Sequence, residues 1–115
     1  MKLITAIVRP DKLDELIGTL VDNRANGLTV TEVRGFGRQF GQLAAGAGRS
    51  RVTLLPKIRL DVVALDDDVE TLVEAIAKHA RTETIGDGKI WVTTVDSVLR
   101  VRTGERDRAE VGDVD

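Results

Sequence analysis

Cysteine is absent from the 115 residues, so neither a disulfide framework nor a thiolate metal site is available. That absence fits a reducing, cytoplasmic setting. Tyrosine is also absent, and Phe36, Phe40 and Trp91 are the only aromatic side chains. With a lone His79, no two histidines stand at metal-ligand spacing. No apolar run approaches the length of a membrane span. Residues 1–10 are too short for a signal peptide and read as a first strand. A net charge of −2 argues against a general nucleic-acid binder. Ser50 has neither a histidine nor nucleophile-elbow glycines near it, and the sequence offers no enzyme active site.

The chain is about the size of one compact domain. Its apolar residues, 42% of the total, are mostly Val, Leu, Ile and Ala, which suits strands packed on helices. Residues 2–9 read as a strand broken by Pro10. Asp11 is the expected N-cap of a helix whose apolar stripe is Leu13, Leu16, Ile17, Leu20 and Val21, with Gly27 as its C-terminal cap. A second strand is expected over 28–34. Residues 51–65 regain strand character, interrupted at Pro56. Asp66, Asp67 and Asp68 suit the positive end of a second helix better than a metal cluster, and Val69, Leu72, Val73, Ile76 and Ala80 repeat the stripe. Strands over 90–95 and 98–102 complete the order. The second half echoes the first, Leu13 falling on Val69 and Leu16 on Leu72. Two such βαβ halves predict an α+β, ferredoxin-like sandwich with a long flexible loop between them. Helices cover one sheet face, and the other must be buried by self-association.

Charge is unevenly spread. No acid lies between Glu32 and Asp61, a stretch that holds Arg34, Arg38, Arg49, Arg51, Lys57 and Arg59. A second basic set, Lys89, Arg100 and Arg102, encloses only Asp96. Cationic patches on an acidic chain suit a small anionic ligand or an acidic partner, though a merely solvated loop has the same composition. Residues 35–50, rich in glycine and alanine and without a period, read as a long flexible loop. In Gly86-Asp87-Gly88-Lys89, two glycines free the backbone to wrap an oxyanion and the lysine adds a charge, yet an ordinary Asp-Gly turn reads the same. A strand over 98–102 would put Arg100 and Arg102 on one side, about 7 Å apart, suited to a polyphosphate or simply exposed on an edge. Gln39 is a candidate neutral metal ligand, and Lys57 a partner for a carboxylate.

Five stretches together resemble one family. They are M-K-L-I-T-A-I-V-R-P at 1–10, T-V-T-E-V-R-G-F-G-R-Q at 29–39, L-P-K-I-R-L at 55–60, T-E-T-I-G-D-G-K-I-W-V at 82–92 and V-L-R-V-R-T-G-E at 98–105. In this order they resemble the PII nitrogen-regulatory signal-transduction proteins. The resemblance implies a domain over 1–104, with a T-loop at 37–55 and a phosphate-binding B-loop at 82–90, followed by a charged tail at 105–115. It implies a homotrimer whose bare sheet faces meet, and ATP or ADP held in the clefts between subunits. Thr29, Asp61 and Val63 would lie near adenine or ribose. Gly35, Gly37, Arg38 and Gln39 would line the nucleotide from one side. Gly86, Asp87, Gly88 and Lys89 would join them, with Arg100 and Arg102 from the neighbour. Gln39 would help hold Mg²⁺ when ATP and 2-oxoglutarate bind together, Lys57 would pair the 2-oxoglutarate carboxylate, and backbone around Gly41 would close over it. The output would be control of a protein target, an ammonium transporter or a nitrogen-metabolism enzyme, from the cytoplasm or from a membrane-bound transporter. A sensor of another small effector, or a slow ATPase in the same cleft, is the alternative.

The chain departs from the family in the T-loop. Where typical members carry Tyr-Arg-Gly-Ala-Glu-Tyr, this chain has Gly46-Ala47-Gly48-Arg49-Ser50, and Phe40 replaces the usual lysine. Without tyrosine, uridylylation or adenylylation there is excluded, and Ser50 is the hydroxyl left in that stretch. The resemblance is thus to a divergent paralogue with an altered T-loop.

Overall fold

The computed structural model describes residues 1–36 and 53–106. The expected flexible loop between the halves, including Gly37, Arg38, Gln39, Gly41 and Ser50, and most of the expected tail fall outside the described residues.

Among the described residues, four strands and two helices follow in order: β1 (Lys2–Val8), α1 (Leu13–Asp22), β2 (Thr29–Gly35), β3 (Leu55–Ala64), α2 (Val69–Ala80) and β4 (Gly88–Thr94). The sheet order is β2-β3-β1-β4. Every adjacent pair is antiparallel. This is the expected α+β, ferredoxin-like architecture, each helix linking strands separated by one other strand. The internal echo is accurate to the residue. Short 3₁₀ turns at Pro10–Lys12 and Asp66–Asp68 precede the helices at the same offset of 56 residues that separates Thr5 from its hydrogen-bond partner Asp61.

Strand side chains alternate between faces, and so does burial. Ile4, Ala6 and Val8 of β1 and Ile58, Leu60, Val62 and Ala64 of β3 form the core with Leu16 and Leu20 of α1 and Leu72, Ile76 and Ala80 of α2. The intervening positions form the other sheet face, which no described helix covers. It carries Thr29, Asp61, Thr5 and Trp91 in one register row, with Val63, Leu3 and Thr93 in the next. Val63 and Trp91 are about two-fifths exposed.

Four local expectations are corrected. Helix α1 does not run to Gly27: it stops at Asp22, because the Asn23 amide and side chain both donate to the Thr19 carbonyl and Arg24 turns left-handed with φ 70°. Neither Asp11 nor the three aspartates cap a helix through a side chain; each set lies within its 3₁₀ turn, where only the dipole favours it. Pro56 does not interrupt its strand. It pairs with Arg34 of β2 beyond the point where β1 ends opposite Ile58, so its missing N–H faces no second described strand. Finally, residues 98–102 form no strand. Arg100 starts a turn closed by Gly104 N–H donating to the Arg100 carbonyl at 2.8 Å, so strand geometry does not align Arg100 with Arg102.

Val21, part of the expected stripe, is 63% exposed, whereas its neighbour Leu20 is fully buried. Leu20→Ala should therefore cost about 2–5 kcal/mol in urea unfolding, and Val21→Ala less than about 0.5 kcal/mol. Equal losses would contradict this placement of α1.

Candidate functional site

Lys57, Gly86, Asp87 and Lys89 of the candidate set gather at one end of the sheet. The ladders pair Val8 with Ile58 on one side and with Gly88 on the other. One step further, the same registers bring Lys57, Arg9 and Asp87 into a row. The loop from 82 to 87 is built on that row.

Asp87 organises the loop internally. Its carboxylate accepts from the backbone N–H groups of Thr82, at 2.7 Å, and Glu83, at 2.8 Å, and also from the Thr82 hydroxyl. Arg9 Nε adds a bond at 3.2 Å. The Thr82 hydroxyl and amide foremost, helped by Arg9 and Glu83, hold the Asp87 carboxyl well below the usual carboxylate range. Glu83 is kept at φ 65°, a left-handed conformation that a non-glycine residue adopts at a cost. Gly86 and Gly88 have φ of 100° and 108°. At Gly88 a side chain is impossible without rearrangement, since a Cβ would stand 1.8 Å from the Ile7 carbonyl oxygen.

Two cations reach the loop from the sheet. Arg9 Nη2 donates to the Ile85 carbonyl at 2.8 Å and to Thr84 Oγ1 at 3.0 Å. Lys57 Nζ donates to the Gly86 carbonyl at 3.0 Å. Lys57 and Gly86, expected on different ligands, are thus in contact. Lys89 is exposed and pairs with Ile7 in the ladder, on the same face as Lys57. Gly35, opposite Leu55, closes the same end of the sheet.

Further along the face, Thr29, Asp61 and Thr5 lie directly opposite one another. Asp61 accepts from Thr5 Oγ1 at 2.8 Å and from Arg59 Nε at 2.9 Å. Burial by itself raises the Asp61 carboxyl, but the hydrogen bonds from Arg59 and Thr5 and the Arg59 charge outweigh it, leaving the group below its usual range. Val63 follows on the same face. Arg100 and Arg102 are not brought to this group by the strands. Chain direction carries β4 away from Gly88 to Thr94, beside Lys2, and their segment leaves from that opposite end.

An open cleft of ≈ 240 Å³ between the end of α2 and the start of β4 is lined by Ala77, Ala80, Arg81, Asp87, Gly88 and Lys89, with Val8 and Ile90. It lies on the helix side of the sheet and does not include Lys57 or Asp61. Among the described residues no cluster of His, Asp or Glu could hold a metal ion. No described helix is long and apolar enough to cross a membrane.

A family model described as "Nitrogen regulatory protein P-II" matches residues 1–105. The chain belongs to the P-II nitrogen regulatory protein family. It is 50% identical over 112 residues to "Nitrogen regulatory protein P-II 2" of Methanothermobacter thermautotrophicus, covering 96% of this chain and 97% of that protein. It is 47% identical over 111 residues to "Nitrogen regulatory protein GlnK" of Escherichia coli K12, covering 95% and 98%. A P-II protein of Cereibacter sphaeroides is 49% identical over 106 residues, covering 91% and 95%.

Sequence reasoning about this P-II chain passed over Arg9, Thr82 and Thr84. Arg9 looks like the charged end of a strand, and only the two ladder registers reveal that it stands between Lys57 and Asp87. The Thr-x-Thr ahead of Gly86 was visible, but threonines with acceptors nearby are too common to single out.

The Asp61 cluster yields a pH-dependent prediction. Because the folded carboxyl is lowered, its stabilisation is complete above the ordinary aspartate value of about 3.9 and disappears as pH falls through the lower folded value. Asp61→Asn should cost about 1 kcal/mol at pH 7 in nucleotide-free protein, with the gap closing below about pH 3.9. Urea midpoints across that range measure it, and a gap independent of pH would contradict the assignment.

Proposed function

We propose that this chain is a P-II-type signal-transduction regulator that binds ATP or ADP between subunits of a homotrimer, together with Mg²⁺ and 2-oxoglutarate. It acts on a nitrogen-metabolism or transport target through residues 37–55. Membership of the P-II family supports the regulatory role, since its proteins are regulators that act as trimers on protein targets. The observation that carries the reading is the contact between Lys57 and Gly86, 3.0 Å long, at the root of a glycine loop followed directly by Lys89. A positive-φ backbone flanked by two lysines is a site for an anion with several oxygens.

The uncovered face supports assembly. A sheet face carrying Leu3, Ile7, Val63 and Trp91 gains by being covered, and threonines beside them allow close packing without unpaired groups. A shared site is also supported by topology. Arg100 and Arg102 depart from the opposite end of β4 to the loop, so a neighbour's pair is better placed to complete it. In this reading Thr29, Asp61 and Val63 line the base and ribose. Gly35, Gly86, Asp87, Gly88 and Lys89 line the phosphates with Gly37, Arg38 and Gln39.

The residues fit these groups in charge. Described carboxylates form no cation cage, so Mg²⁺ would be held by Gln39 together with ligand oxygens, where it neutralises phosphate charge. Lys57 has two further ammonium protons with which to pair a 2-oxoglutarate carboxylate. The two ligands then shift the population of shapes of residues 37–55, each by its difference in affinity between them.

Lys89→Ala and Arg102→Ala should each lower ATP affinity at least tenfold in calorimetry while the trimer persists in sedimentation. ATP should also bind more tightly with 2-oxoglutarate present than without it. Wild-type affinity in both variants would overturn the site, and a monomer indifferent to adenine nucleotides would overturn the function.

A further inference from the structure

Arg9 and Lys57 each lie one residue beyond the last pair of the β1–β3 ladder, Val8 with Ile58, and they take successive carbonyls of one loop, Ile85 and Gly86. This has a geometric consequence. A trans peptide points its C=O and the following N–H in opposite directions. With both carbonyls drawn down to the cations, the N–H groups of Gly86 and Asp87 are turned away from them, side by side. Adjacent outward amides make an anion-binding concavity. The strained φ of Glu83 and the four bonds converging on Asp87 mark the loop as held in this shape rather than resting in it.

We propose that Arg9 and Lys57 are positioning residues that clamp the 82–88 loop by its consecutive carbonyls, preforming the Gly86 and Asp87 amides for phosphate. This rests on the nucleotide reading above and adds a regulatory link to it. Lys57 serves two sites at once, because the ammonium that orients Gly86 is the one that would meet the effector carboxylate. A carboxylate on Lys57 therefore alters the hold on the phosphate loop directly through one peptide group. Arg9 supplies the part of the clamp that no effector touches, fanning one guanidinium across Thr84, Ile85 and Asp87.

The test separates clamping from effector binding by leaving 2-oxoglutarate out. In nucleotide-free full-length protein, Arg9→Gln and Lys57→Gln should speed hydrogen exchange of the loop amides, Thr82 and Glu83 included, about tenfold, with α2 amides unchanged. Both variants should also bind ADP and ATP about tenfold more weakly in calorimetry without effector. Arg9→Lys keeps the charge but not the three-acceptor fan, and should fall between. It also replaces Arg9→Gln should that variant fail to fold. If Lys57 served only an effector, Lys57→Gln would leave loop exchange and ADP affinity at wild-type values, which overturns the clamp. Faster exchange with unchanged nucleotide affinity overturns the positioning role. A wild-type protein that binds neither nucleotide overturns the functional reading and this proposal together, whereas wild-type binding retained in the variants overturns this one alone.

Discussion

Two helices can cover only one face of a four-stranded sheet, and that limit governs the rest of this molecule. The alternation of β1 and β3 sends Ile4, Ala6, Val8, Ile58, Leu60, Val62 and Ala64 to the helices. It leaves Leu3, Thr5, Ile7, Arg59, Asp61 and Val63 on the other side. Such a face has to satisfy both its polar groups and its apolar ones. Thr5 shows how this is done: although on the uncovered face it is fully buried, and its hydroxyl is spent on Asp61. Arg59 completes the carboxylate, so the centre of the face carries a closed ion pair rather than a stray charge. A face so prepared can meet a like surface without stranding a charge.

The same registers that build the sheet also build the end that carries the candidate site. Because β1 lies between β3 and β4, the residue just past its end stands between the residue before Ile58 and the residue before Gly88. Those are Lys57 and Asp87, and the residue between them is Arg9. Three residues far apart in sequence thus become one row through ladder geometry alone. Gly88 fixes the row in place, since the Ile7 carbonyl approaches too closely for any side chain there. A slip of one residue in either ladder would turn these side chains to the helix face and dissolve the row. The candidate site and the fold are therefore specified by one set of hydrogen bonds.

What the sequence disclosed follows from how local each signal is. Helix stripes are local, so Leu16, Leu20, Leu72 and Ile76 were legible, and the echo between halves supplied the topology. Val21 misled because a stripe wider than the buried face has apolar residues left over. Gly27 misled because Asn23 ends the helix earlier by bonding back to Thr19. Alternation across 98–102 resembled a strand, but a pattern cannot show where a segment turns back: Leu99 makes an isolated bridge to Arg106, and the segment bends at Arg100. The glycine loop could be found from its spacing, as could Lys57 and Lys89 from their charge. Arg9 could not, because its role depends on two long-range pairings that no local window contains.

Electrostatics explain why that row favours cations. Carbonyl oxygens of Ile85 and Gly86 both face the sheet, where two adjacent dipoles of the same sense repel unless positive charge lies between them. Arg9 and Lys57 supply it, and Asp87 offsets part of their charge, so the local balance stays moderate before any ligand arrives. By trans-peptide geometry the N–H groups of Gly86 and Asp87 take the opposite direction. On the proposed reading, a polyphosphate approaching there would meet positive partial charges already aligned, and little backbone reorganisation would oppose its binding. An empty loop that had to gather its amides afresh would lose that advantage to ordering entropy. The cost of holding Glu83 left-handed is thus met during folding, by the same contacts that join this loop to the sheet.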